Sequence, residues 1–177
     1  MKLIIDKIKE HAKTCNTTEE LKKIDFLLNN GNVMKPHTMS LQEKDALLRT
    51  YKFYTPEHSC CYDNAIYLTS YSKGKYSYYE GYQLIEGGIP DLFQHAWNEH
   101  NGKIMDITFK LNKESLPEKL KKAGCKNIKE SLENYKVVEY FGIKIPYCLE
   151  FNKNLLLVDI NRDGLLSTYI NNKDKWK

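Results

Sequence analysis

His95-Ala96-Trp97-Asn98-Glu99-His100-Asn101-Gly102-Lys103-Ile104-Met105-Asp106-Ile107-Thr108-Phe109 is the stretch that decides the fold, because it reads as two strands folded about a tight turn. Phe93, His95 and Trp97 alternate with small or polar neighbours, the period of a strand with one buried face. Asn101-Gly102 is a hairpin turn signal, since both residue types accept the positive φ that a two-residue turn demands. Ile104 to Phe109 resumes a β pattern. With Asn101 and Gly102 as the turn, Asn98 faces Met105, Trp97 faces Asp106 and His95 faces Thr108. The register predicts that His95 and Asp106 share one face of adjacent antiparallel strands, a diagonal step apart and within reach of each other.

Working outward, Tyr76 to Ile85 is rich in aromatic and β-branched residues and reads as a further strand. Glu86-Gly87-Gly88-Ile89-Pro90 is a loop signal just before the histidine strand, placed to shape or gate a substrate cleft. Cys61-Tyr62-Asp63-Asn64-Ala65 opens a helix that carries Ala65 and Leu68 on the cysteine's face and ends at Gly74. Cys61 falls in its first turn.

Three helices precede it. Leu3, Ile4, Ile8 and Ala12 lie at helical spacing over residues 3–13. Thr17-Thr18-Glu19-Glu20 caps a second helix, about 18–29, with Leu21, Ile24, Leu27 and Leu28 on one stripe and Asn30-Gly31 as its stop. Ser40-Leu41-Gln42-Glu43 is a capping box for a third, which turns Leu41, Ala46, Leu47 and Tyr51 inward. Beyond residue 112, Leu116-Pro117-Glu118 reads as a helix start, a second helix follows, and Val137 to Ile145 forms a short strand or extended stretch. The fold class is α+β: N-terminal helices and a cysteine-bearing helix packed on an antiparallel sheet.

The 177 residues fit a single domain, with a helical part over 1–55, a core over 56–112 and a helical or extended part over 113–177. With 41% hydrophobic and 28% charged residues, the composition is that of an ordinary soluble chain rather than a disordered one. The net charge of +4 comes from lysines mixed with acids along the whole length, so a nucleic-acid surface is not suggested. Asp6 and Lys7 interrupt the apolar N-terminus before it makes a signal-peptide core, and no segment nears the roughly 18 apolar residues of a membrane span. A cytoplasmic protein with no membrane partner is expected. The five cysteines are an odd number, and Cys60 and Cys61 are too close in sequence to pair with each other, so reduced thiols are the simplest reading.

Cysteine, histidine and aspartate occur in that order, and each type suits one task. A thiol attacks as thiolate, which a helix N-terminus and an adjacent imidazole favour. The imidazole works best when a third polar group orients it. Cys61, His95 and Asp106 are therefore the candidate nucleophile, base and orienter.

The motifs Cys61-Tyr62-x-Asn64-Ala65, Tyr78-x-Glu80-Gly81-Tyr82, His95-Ala96-Trp97 and Asp106-x-Thr108 resemble those of the transglutaminase-like branch of the papain-like cysteine enzymes, and most of all those of small phage and bacterial proteins. The likeness covers about fifty of the 177 residues. It implies a thiol hydrolase or acyltransferase acting on an amide or acyl bond of a peptide, protein or small molecule, with no cofactor and no metal. It also implies an oxyanion met by the Cys61 backbone N–H and one further donor. Asn64, Gln83 and Gln94 are candidates for that donor and, with Trp97, for contact with substrate. One departure is that Cys60 stands where many transglutaminase-like proteins have an aromatic residue; it either fills that slot as core or, if the helix starts one residue early, is the alternative nucleophile.

Other readings compete. The same core, catalytically silent, serves as a scaffold for an interaction or inhibitor protein that binds a host component. His58, Cys60, Cys61 and His95 offer a Cys2His2 zinc shell, although adjacent cysteines are awkward ligands for one ion. The seven tyrosines between residues 62 and 82 suit the solvent boundary of a helix and strand better than a nucleobase platform. Asp159-x-Asn161-x-Asp163-Gly164 begins like a calcium loop, but Ile170 at its twelfth position supplies no carboxylate.

Overall fold

The computed structural model describes residues 3–86, 92–147 and 164–172. The Gly87-Gly88 loop and the 159–163 part of the acidic run lie outside them. The chain runs α1 (Leu3–Thr14), α2 (Thr18–Asn30), β1 (Asn32–Met34), α3 (Leu41–Leu48), α4 (Cys61–Tyr71), β2 (Ser77–Glu86) and β3 (Leu92–His100). It continues with β4 (Lys103–Met105), α5 (Ile107–Lys122), α6 (Ile128–Asn134), β5 (Lys136–Ile145) and α7 (Leu166–Asn172). The fold is α+β, with one antiparallel sheet in the order β1-β5-β2-β3-β4.

Local signals account for most of the helices. The Thr17 hydroxyl accepts from Glu20 N at the start of α2, and Ser40 and Glu43 close a reciprocal capping box at α3. Leu47 is buried, but Leu41 and Ala46, expected to turn inward, are exposed, because so short a helix reaches the core only through its last turn.

The β3–β4 hairpin forms with Asn101 and Gly102 at φ of 52° and 77° and pairs Asn98 with Met105. The second arm, however, ends at Met105. Asp106 is not on a strand, and Thr108 is not opposite His95; Asp106 is the N-cap of α5, its side chain accepting from Phe109 N at 2.9 Å. Aspartate is among the best N-cap residues, and Ile107, Thr108 and Leu111 turn inward at helical spacing, which outweighs the β-propensity of Ile-Thr-Phe. The same helix runs through Pro117, which was expected to begin a helix. The proline leaves only the carbonyl of exposed Lys113 without its helical donor.

Val137 to Ile145 is not a short extended stretch. β5 spans ten residues and lies between β1 and β2. One face of the sheet, through Tyr78, Tyr82, Leu84, Ala96, Phe141 and Ile145, packs against α1, α2 and α4. The other buries Ile85, Trp97, Ile104, Val137 and Tyr140. Gly142, Gly81 and His95 form one row across three strands. A Cβ on Gly142 would lie 2.5 Å from Cη2 of Trp97, and one on Gly81 would lie 2.1 Å from the Phe141 carbonyl oxygen. Gly142 leaves room for Trp97 to cover the row, and Gly81 lets the β2 and β5 backbones approach closely.

Candidate active site

α4 begins abruptly. Ser59 has a φ of 65°, and Cys60, the N-cap, makes no side-chain capping bond, so no side chain of the cap covers the first-turn N–H groups at Cys61. The loop before it is pinned from two sides. Asn64, inside α4, accepts from the Tyr54 hydroxyl and Glu57 N, both at 3.0 Å, and donates to Glu57 O at 2.6 Å and Thr108 Oγ1 at 2.8 Å. The Ser59 amide donates to Asn112 of α5 at 3.0 Å.

A second asparagine sets α4 against the sheet. Asn98, next to Trp97 but on the opposite pleat, donates 2.9 Å bonds to the Ala65 carbonyl and to Thr69 Oγ1. Alternation along β3 then sends Ala96 and Asn98 toward α4 and His95 and Trp97 the other way.

His95 is 4% exposed, and its Nε2 lies 2.7 Å from Asp106 Oδ2. The same oxygen accepts from the Tyr140 hydroxyl at 2.8 Å, while Oδ1 accepts from Phe109 N. Every bond to this carboxylate is one that a charged acceptor strengthens. Trp97 stacks near-parallel on His95, with centroids 6.3 Å apart, and Tyr140 and Tyr79 extend the aromatic wall. Burial alone pulls the imidazole pKa down. The Asp106 carboxylate reverses this, and the nearby Cys61 side chain acts in the same direction, so the ring is held well above its ordinary value. The structure thus joins His95 directly to Asp106, with Cys61 at the start of α4 near enough to influence the ring.

The remaining expected residues divide. Asn64 has spent its amide hydrogens on the loop and Thr108, and none remains for an oxyanion. Gln94 points away from His95, toward α2, where its amide donates to Glu20. Trp97 is 1% exposed and shields the pair rather than facing solvent. Gln83 lies on the same pleat as His95, buried between Phe93 and Tyr140, with its carbonyl oxygen lacking a partner among the described residues. Of the two adjacent thiols, Cys60 is pushed up by burial and by the Asp63 and Glu57 carboxylates, which disfavours its thiolate.

Among the described residues, no three of His58, Cys60, Cys61 and His95 bring ligand atoms within 4.8 Å of one another, so the rival zinc shell does not assemble there. No helix among them is long and apolar enough to cross a membrane. Tyr140, Asn98 and Thr69 escaped the sequence reading, because their roles depend on strand register and helix placement rather than on local spacing.

On the far side of Asp106 and Tyr140 a cleft of about 280 Å³ opens, lined also by His37, Lys110, Lys113 and Lys136. Comparison with protein-family models, with curated proteins and with solved structures finds no match.

Proposed function

We propose that the protein is a thiol-dependent hydrolase or acyltransferase acting on an amide or acyl bond, with a papain-like or transglutaminase-like core. The observation that carries this reading is the buried His95–Asp106 pair, 2.7 Å apart, with Cys61 at the start of a helix near enough to raise the ring's pKa. With Nε2 turned to Asp106, Nδ1 is the ring nitrogen left for the sulfur. A ring held above its ordinary value favours the imidazolium–thiolate pair.

In this mechanism the Cys61 sulfur attacks the substrate carbonyl carbon, and the oxygen's developing charge meets the N–H groups at the start of α4. The Gln83 side chain is the candidate second donor. His95 gives its proton to the leaving nitrogen or oxygen as the bond to carbon breaks, leaving a thioester. Water, or an amine for transfer, then loses a proton to His95 and attacks the thioester, releasing the acyl group and restoring the thiolate. Asp106 keeps its charge throughout and holds the ring.

The test is acylation of the purified protein by a panel of activated esters and amides, followed by intact mass and turnover. Cys61→Ala is expected to lose both the acyl adduct and turnover while keeping its melting temperature. Cys60→Ala keeps them. Adduct formation that survives Cys61→Ala refutes the assignment, and absence of any adduct at Cys61 favours the scaffold reading.

A further inference from the structure

His11, Cys15 and Glu20 converge where α1 hands over to α2. His11 stands in the last turn of α1, Cys15 in the link that follows, and Glu20 in the first turn of α2. Cys15 Sγ lies 3.4 Å from His11 Nε2, and that nitrogen lies 3.9 Å from Glu20 Oε1. One ligand atom from each residue falls within 4.8 Å of the other two. Bonds of about 2.3 Å to sulfur and about 2.0 Å to nitrogen and oxygen around a tetrahedral ion set ligand separations near 3.3–3.6 Å. The Cys15–His11 separation already matches, and Glu20 has to move roughly 0.6 Å closer to His11. Imidazole, thiolate and carboxylate form a borderline-soft donor set that suits zinc and does not suit magnesium or calcium.

Two details set this cluster apart from a chance grouping. Thr17-x-x-Glu20 has the spacing of a capping box, in which the glutamate returns to the Thr17 N–H. The Thr17 hydroxyl does cap Glu20 N, but the carboxylate turns to the sheet, where the Tyr82 hydroxyl donates to it at 2.8 Å and the Gln94 amide donates to the same oxygen. The His11 ring is also held edge-on by Tyr82, with centroids 6.1 Å apart. Hydrogen-bond partners that fix the orientation of a carboxylate are what metal ligands characteristically carry.

We propose that His11, Cys15 and Glu20 bind one Zn²⁺ ion, with water in the fourth position, and that the ion clamps α1 to α2. Binding exchanges the Cys15 proton for the metal, so one proton is released per ion. The site lies on the opposite pleat from His95, through Tyr82 and Gln94, and is independent of the thiol mechanism.

The experiment uses the full chain carrying Cys60→Ser and Cys61→Ser, stripped of metal and titrated with Co²⁺ and then Zn²⁺. One equivalent of Co²⁺ is expected to give a sulfur-to-cobalt charge-transfer band that Zn²⁺ abolishes, and Zn²⁺ is expected to raise the melting temperature. Cys15→Ser in this background loses the band and the thermal shift, and His11→Ala binds roughly tenfold more weakly or worse. Metal-free melting curves that match the parent establish that both variants fold, and His11→Gln replaces either one that does not. A band that persists in Cys15→Ser, or a parent without one-equivalent binding, overturns the proposal.

Discussion

His95 Nε2 and Asp106 Oδ2 lie 2.7 Å apart although only one of the two residues belongs to the sheet. The hairpin turn delivers the chain to Met105, and the cap of α5 then swings the carboxylate back under the imidazole. One aspartate thus does two jobs, holding the ring with Oδ2 and starting a helix with Oδ1. Asp106→Ala leaves a buried imidazole and the Tyr140 hydroxyl without their acceptor and removes a cap. A loss of about 3–5 kcal/mol is expected in urea unfolding. Asp106→Asn keeps the cap, so it is expected to lose clearly less stability while still losing turnover.

The His95 ring makes reactivity at Cys61 dependent on pH in a defined sense. Its folded value is pushed up to about 10, above the roughly 6.5 of an unfolded chain, so the stabilisation from its charge is complete below about 6.5 and is lost as pH rises toward 10. Over that span the imidazolium supports a thiolate. Iodoacetamide is therefore expected to alkylate Cys61 faster than Cys60 at neutral pH. His95→Gln is expected to remove that difference. Peptide mapping that finds the label on Cys60 at neutral pH would reverse the order of the two thiols.

Much of this site was legible because it is written in short-range signals. Asn101-Gly102 set the register that pairs Asn98 with Met105, and the Ser40 to Glu43 box marked α3. The stretch from Asp106 misled because Ile107, Thr108 and Phe109 favour a strand by type, while the aspartate ahead of them favours a cap. The cap prevailed once Ile107 had a core to enter. Tyr140 was out of reach for a different reason. It arrives from β5, 34 residues away in sequence, and only the pairing of β5 with β2 carries it to Asp106.

Asn64 and Asn98 brace the site from different sides. Asn64→Ala strips the loop before Cys60 of its bonds to Tyr54 and Glu57, and leaves the Glu57 N–H unsatisfied. A cost of about 1–3 kcal/mol is expected, with faster proteolysis in the 54–60 segment. Asn98→Ala frees α4 from β3 and is expected to lower kcat more than it raises KM, because it shifts Cys61 relative to His95 rather than removing a substrate contact. An unchanged kcat would show that helix packing alone fixes the sulfur.

Glu80 presents the reverse electrostatic case on the other pleat. It is 2% exposed, and it accepts from the Tyr78 hydroxyl at 2.6 Å, from the Leu165 amide, and from the Leu166 amide at 3.1 Å, which ties β2 to the start of α7. Burial pushes its carboxyl up to about 7, although these donors and Lys23 hold it down. Because the folded value exceeds the roughly 4.3 of an unfolded glutamate, the native state binds the extra proton between those limits. Its contribution is then fully present below about 4.3 and is lost as pH rises through 7. Glu80→Gln keeps a carbonyl acceptor and removes the charge, so it is expected to melt higher than the parent at pH 8 and to match it near pH 5. A melting-temperature difference that does not change between the two pH values would mean that the carboxylate is already charged in the fold, held by its three donors against the cost of burial.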